Sequence, residues 1–187
     1  MTIDLAQTFG TRLQGRLNGR RDFARLCELA STAAQGEVVH LDFTGVELVT
    51  GSWLNEALVP LLRWAADERN DLYPVLQGLG DTVRDELVFV ASATNTHFLA
   101  LSRHSPPRAV LIGSLDPGQR ATLEALMKYP DVTGAELERR EPGGEKVRAT
   151  AWNNRLKDLF EKRLLRRVKR GREHLYSPVV PEVVLNG

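Results

Sequence analysis

The chain has 187 residues, of which 42% are hydrophobic and 26% charged, a balance ordinary for a soluble globular protein of one large or two small domains. No apolar run approaches the roughly 20 residues of a membrane span, and the N-terminus has neither the basic region nor the apolar core of a secretory signal. A cytoplasmic protein without a membrane partner is therefore expected. The single cysteine, Cys27, excludes an intramolecular disulfide and any cysteine-rich zinc site.

A formal net charge of +1 hides an asymmetry. Residues 1–104 carry 9 Lys/Arg against 13 Asp/Glu, whereas residues 105–187 carry 16 against 11. Between Arg155 and His174 the count is 9 against 3. A basic half joined to an acidic half is a sequence-level sign of nucleic-acid contact, although a basic run also serves as a solvated face.

In chain order, Leu5 to Leu17 reads as a short strand or hairpin punctuated by Gly10 and Gly15. Arg20 to Ala34 has helical periodicity through Phe23, Leu26, Cys27, Leu29 and Ala30, and Gln35-Gly36 ends it. Val38 to Phe43 is β-branched and apolar, the pattern of a buried strand. Ser52 is placed to cap the next helix, whose apolar face is Trp53, Leu54, Ala57, Leu58, Leu61, Leu62 and Ala65, with Pro60 expected to kink it. Leu72 to Leu76 reads as a third strand, and Pro74 inside it argues for a less central place or a local break. Asp81 opens another helix. Phe98–Leu101 and Ala109–Ile112 read as two strands joined by His104 to Pro107. Strands alternating with helices imply a small α/β layer domain ending near Gly113-Ser114.

From Leu115 the pattern turns mostly helical. Asp116-Pro117-Gly118-Gln119 is a capping box with proline at the first helical position, and Tyr129-Pro130 stops that helix. Thr133 to Glu136 is a second capping box opening a short helix through Leu137, and Glu141 to Glu145 is a loop. A third helix begins around Thr150. Its Trp152, Leu156, Leu159 and Phe160 share one face, while Thr150, Asn153, Asn154 and Lys157 lie opposite with Arg155 beside them. Asn pairs bidentately with adenine in the major groove, and Lys or Arg with guanine or phosphate. Leu164-Leu165 returns to the core. Arg166, Arg167, Lys169 and Arg170 follow in a basic strand, Gly171-Arg172 turns, and His174 to Tyr176 comes back. Basic side chains at a hairpin tip suit phosphate or minor-groove contact.

On these residues the segment 115–178 resembles the winged helix-turn-helix domains of bacterial transcription regulators. That resemblance implies a mainly α C-terminal domain (115–187) whose third helix enters the major groove while its wing touches the backbone. It makes Thr150, Asn153, Asn154, Arg155, Lys157, Arg166, Arg167, Lys169, Arg170 and Arg172 the candidate DNA-binding residues. The loop from Glu141 to Arg148 departs from the family by being longer than a tight helix-turn-helix turn.

The stretch from His40 to Leu58 is the other informative one. A hydrophobic strand carrying Asp42 crosses a short loop to a helix beginning at Ser52. This resembles STAS domains, the fold of anti-sigma-factor antagonists, and more closely a STAS-like family found beside regulatory modules. It implies an α/β N-terminal domain (1–113) for sensing or dimerisation. In anti-sigma-factor antagonists the serine at this helix start accepts a phosphate from a partner kinase, which makes Ser52 the candidate phospho-acceptor. A phosphate there would meet free N–H groups and add negative charge to a binding face. The bland alternative is that Ser52 only caps its helix. Thr50-Gly51 stands where antagonists carry an acidic residue and a serine.

Other signals fail. Gly78 and Gly80 lack a third glycine, because Val83 stands in its place, and Gly143 to Lys146 is too short for a phosphate-binding loop. His40, His97, His104 and His174 have no metal spacing, and Cys27 reads as a small core residue. No catalytic residue, metal or cofactor is expected. The leading expectation is a homodimeric transcription regulator that binds double-stranded DNA. The competing one is a partner-switching protein that binds a kinase-like ATPase and reads no DNA sequence.

Overall fold

The chain enters its main sheet at once. Thr2–Asp4 form β1, and the Asp4 side chain then caps the short helix α1 (Leu5–Phe9) by accepting the Gln7 N–H at 2.8 Å. The strand or hairpin expected over Leu5 to Leu17 is thus a helix, a two-residue β2 (Arg12–Leu13) and the start of α2 (Arg16–Ala30). The local Asp4 cap outweighs the weak apolar alternation. α2 begins before Arg20 and ends before Ala34, shifting the expected helix by one turn at each end. The computed structural model describes residues 1–102, 108–141 and 148–185. The connection expected at His104 to Pro107, and most of the loop from Glu141 to Arg148, lie outside the described residues.

β3 (Val38–Asp42) lies where the sequence puts it, and β4 (Leu48–Val49) pairs parallel with β2 in a small separate ladder. The next helix is capped by Thr50 instead of Ser52: Thr50 is extended at φ −113, ψ 147, and its Oγ1 accepts the Trp53 N–H at 3.4 Å. Ser52 is the second residue of α3 (Gly51–Glu56), with its hydroxyl 3.0 Å from Thr50 Oγ1. The expected kink at Pro60 becomes a break. α3 stops, Ala57 departs from helical geometry at φ −115, ψ −60, and α4 (Leu58–Asp67) restarts. A proline ring clashes with the carbonyl four residues earlier, so the break takes Glu56 out of line with Pro60.

β5 (Tyr73–Gln77), α5 (Asp81–Thr94), β6 (Phe98–Leu101) and β7 (Ala109–Ile112) complete the first half. Contrary to expectation Pro74 sits in an interior strand, between β3 and β6. The Tyr73 N–H donates to Glu37 O at 3.3 Å toward β3, so the alternating residue Pro74 turns its nitrogen to the other side. There the ladder to β6 is recorded higher up, at Leu76–Ala100, so the missing N–H costs the sheet no bond.

Both expected capping boxes are present, opening α6 (Pro117–Lys128) and α7 (Gly134–Arg140), the latter one turn longer than its sequence suggested. α8 (Ala149–Glu161), β8 (Leu165–Arg170), β9 (Glu173–Pro178) and β10 (Val183–Val184) follow.

The result is a mixed α/β fold on a six-stranded, mostly parallel sheet in the order β1-β3-β5-β6-β7-β10. Only the β6–β7 pair is antiparallel. Side-chain alternation gives the sheet two apolar faces. On one, Val39, Leu41, Leu76, Phe98 and Ile112 pack with Leu26, Trp53, Leu58, Leu61 and Leu87 of α2 to α5. On the other, Tyr73, Val75, Leu99 and Leu111 pack with Leu123, Leu126, Trp152, Leu156, Leu159 and Tyr176. Residues 113–115 fall between β7 and α6, and the second core continues across that point. β10 then returns to pair with β7, so the C-terminal segment both covers and extends the sheet. Among the described residues no helix is long and apolar enough to cross a membrane.

Candidate nucleic-acid interface

α8 is fixed by its apolar face: Trp152, Leu156, Leu159 and Phe160 are all buried. Fully burying side chains of this size is worth about 1.5–3 kcal/mol each. α8 crosses α7 closely at Gly134, where a Cβ would collide with Asn153 Oδ1. A side chain there would have to displace Asn153 and would press on Ala149 O at 3.1 Å. The opposite side of α8 is open, with Thr150, Asn153, Asn154 and Lys157 exposed.

The hairpin β8–β9 stands beside it. Its register pairs Arg167 with Tyr176, Lys169 with His174 and Arg170 with Glu173. Gly171 takes the first position of the two-residue turn at φ 64, where a side chain would be strained. Tyr176 meets the Phe160 ring edge-on, with centroids 6.4 Å apart, and its backbone exchanges two hydrogen bonds with Val132 between α6 and α7. Helix and hairpin are therefore held as one unit by an aromatic contact and an added bridge.

Between them lies a concavity of about 460 Å³ lined, among the described residues, by Asn153, Asn154, Lys157, Arg167, Arg172, His174 and the one carboxylate Glu173. Five of the ten residues singled out from the sequence meet there. Thr150 lies further along α8, with Arg148 and Glu138 around a second hollow. Lys169 and Arg170 are exposed near the hairpin tip, and Lys169 lines a separate hollow with Asn70, Asp71 and Tyr73. Lys157 also makes an exposed ion pair with Glu161 at 3.6 Å.

Three of the ten are engaged in packing to different degrees. Arg155 is half-buried, 5.8 Å from the Trp152 ring, with its guanidinium against Gly118 of α6. Arg166 donates from Nη2 to Val179 O at 3.2 Å and lies 5.8 Å from the Tyr73 ring. Arg167, although it lines the concavity, has its guanidinium 4.2 Å from the Phe160 ring, and its backbone N–H donates to the Tyr73 hydroxyl at 3.3 Å. Two residues not singled out belong with the open group. Arg148 stands exposed just ahead of α8, where a helix start favours phosphate contact, and His174 faces Lys169 across the ladder. Arg148 had been absorbed into a loop, and the side of His174 depends on a pairing register.

Ser52 lies apart, half-buried on α3, on the face of the sheet covered by α2 to α5. Cys27 is also half-buried, and burial, helped by Glu68, pushes its thiol up to about 11, so it is neutral at physiological pH. The groove presents amide, ammonium and guanidinium donors that outnumber its one carboxylate, Glu173. Comparison with known proteins finds no match, neither a family model nor a curated protein nor a solved structure.

Proposed function

We propose that the protein is a DNA-binding transcription regulator, with residues 115–178 acting as a winged helix-turn-helix and the α/β half as a STAS-like sensing or dimerising domain. The observation that carries this reading is the shared concavity, in which the side-chain amides of Asn153 and Asn154 lie across from Arg167 and Arg172 of the hairpin. α8 runs for 13 residues, about 20 Å, and the major groove of B-DNA is about 12 Å wide, which admits one helix. Asn153, Asn154 and Lys157 then address base edges, while Lys169, Arg170 and Arg172 hold phosphates. Arg155 and Arg166 serve the packing beneath. A homodimer would bind two half-sites about one helical turn apart. Selection of bound sequences from a random duplex library by the full chain tests this. A recurrent motif, bound more weakly as salt rises, is the expected result; no enrichment over the starting library refutes it.

The exposed apolar residues Val88 and Phe89 on α5, the helix that packs against α3, favour a second reading. In it the α/β half binds a protein, either a second copy or a kinase-like ATPase, and phosphorylation of Ser52 switches the complex. Light scattering of the Phe89→Asp variant separates the two partners. A dimer that becomes monomeric places the twofold contact on α5. A complex with the ATPase that resists Ser52→Asp removes the switch.

A further inference from the structure

The turn leaving α8 holds a charge that DNA binding does not use. Arg163 has a left-handed backbone at φ 60 and is 2% exposed. Its Nη1 donates to the carbonyls of Ala65 at 3.1 Å and Asn70 at 3.0 Å, and its guanidinium lies 4.2 Å from the Phe160 ring. Among the described residues Nε and Nη2 have no hydrogen-bond partner, and no carboxylate pairs with the side chain. Burial draws its pKa down to about 10, so it stays a cation. A buried cation with no carboxylate in direct contact, only the more distant charges of Glu161 and Asp67, is costly, and strained backbone in a cleft wall points the same way.

That wall belongs to a cleft of about 500 Å³ where the α/β half meets the end of α8. Val59, Leu62 and Ala66 of α4 supply an apolar side. Arg63, Lys162 and Arg167 join Arg163 around it, against only two carboxylates, Asp67 and Glu161. Glu161 is already engaged by Lys157. Four cations outnumber two acids in a hollow of ligand size, with apolar surface on one side. Guanidinium forks match oxyanions in two-point contact.

We propose that this cleft binds a small anionic metabolite. Its oxyanion head, phosphate or carboxylate, is held by Arg63 and Lys162, with the buried charge of Arg163 and that of Arg167 behind them, and its apolar body lies on Val59, Leu62 and Ala66. Because α4 and the end of α8 both line the cleft, an occupant bridges the two halves and reaches the helix proposed to read DNA. Binding itself does not rest on the DNA reading; only that consequence does.

The test titrates the full chain with phenyl phosphate in one arm and benzoate in the other, at constant ionic strength set with chloride. The backbone amide signals of Ala66, Asn70, Asn95 and Lys162 are followed by NMR. Saturable shifts at these amides are expected in at least one arm, and the responding arm names the head group. Combining Arg63→Ala with Lys162→Ala should raise Kd at least about tenfold. Lys169→Ala with Arg172→Ala should leave it unchanged, which excludes anion capture at the hairpin tip. The proposal is overturned by no saturable shift in either arm, by shifts that survive the cleft variant, or by shifts abolished only in the tip variant. The readout is the protein's own amides, so failure of DNA binding would not alter it.

Discussion

One basic run, Lys162 to Arg172, supplies two different materials. At its base Arg163, Arg166 and Arg167 lie against Phe160 and Tyr73 and join the C-terminal segment to the sheet. At its tip Lys169, Arg170 and Arg172 are exposed. A count of positive residues treats the two groups alike. Their surroundings do not: a guanidinium over an aromatic ring and under a carbonyl is a packing element, and a solvated one is a source of field.

The largest effect should come from the ring that two of the base arginines share. Phe160→Ala removes a buried aromatic that touches Tyr176, Arg163 and Arg167, and should lower the free energy of unfolding by about 3–5 kcal/mol in urea titration. Next, Arg163→Ala leaves the Ala65 and Asn70 carbonyls without their donor, and a destabilisation of about 2–4 kcal/mol is expected. If either variant unfolds at the wild-type urea midpoint, the base is not structural and the division fails.

The tip should behave in the opposite way. Changing Lys169, Arg170 and Arg172 together to Ala should leave the urea midpoint in place. It should flatten the slope of log affinity for duplex DNA against log salt by about 0.9 for each phosphate that is no longer neutralised, so by roughly 2–3 in all. Arg166→Ala, by contrast, should cost stability while leaving that slope unchanged, since its Nη2 is spent on Val179 O. Equal slopes for base and tip variants would show that all these cations reach phosphate, and that packing does not decide which ones act.

How much of this was legible in the sequence depended on whether the deciding interaction was local. Both capping boxes could be read because cap and partner are three residues apart, Asp116 with Gln119 and Thr133 with Glu136. The buried stripe of α8 could be read because helical spacing fixes it. The α1 cap was equally local, but a five-residue helix gives no periodicity to support it. Pro74 was misjudged because the side its nitrogen faces is set by pairing with β3 and β6, far off in sequence. The base and tip cations were indistinguishable for the same reason, since Asn70 lies 93 residues from Arg163 and Tyr73 lies 94 from Arg167. The two-residue β10 left no pattern at all, yet it brings the C-terminal segment back to β7. Helix faces were therefore recoverable, whereas the assignment of each arginine waited on the fold.

The base also sets the smallest predicted effect, through His97. This side chain is 4% exposed, and its Nε2 lies 2.7 Å from Ser114 O, consistent with a neutral ring donating there. Burial lowers its pKa, Lys162 at the base lowers it further, and the hydrogen bond to Ser114 opposes them. In the unfolded chain a histidine takes up its proton near pH 6.5. Below that pH the unfolded state binds more protons than the folded one, so stability falls as pH drops through the window between the two pKa values and levels off beneath it. Thermal unfolding from pH 7.5 to 5.5 should show this fall, and His97→Gln should reduce it. The remainder belongs to His40, whose pKa burial also lowers. Lys162→Ala should make the His97 contribution smaller and bring its levelling-off to higher pH, because without the neighbouring positive charge the folded state accepts the proton earlier. The tip variant should reproduce the wild-type pH profile. A tip variant that changed it as far as Lys162→Ala would show that the charge of the whole hairpin reaches His97, and the separation of base from tip would not hold.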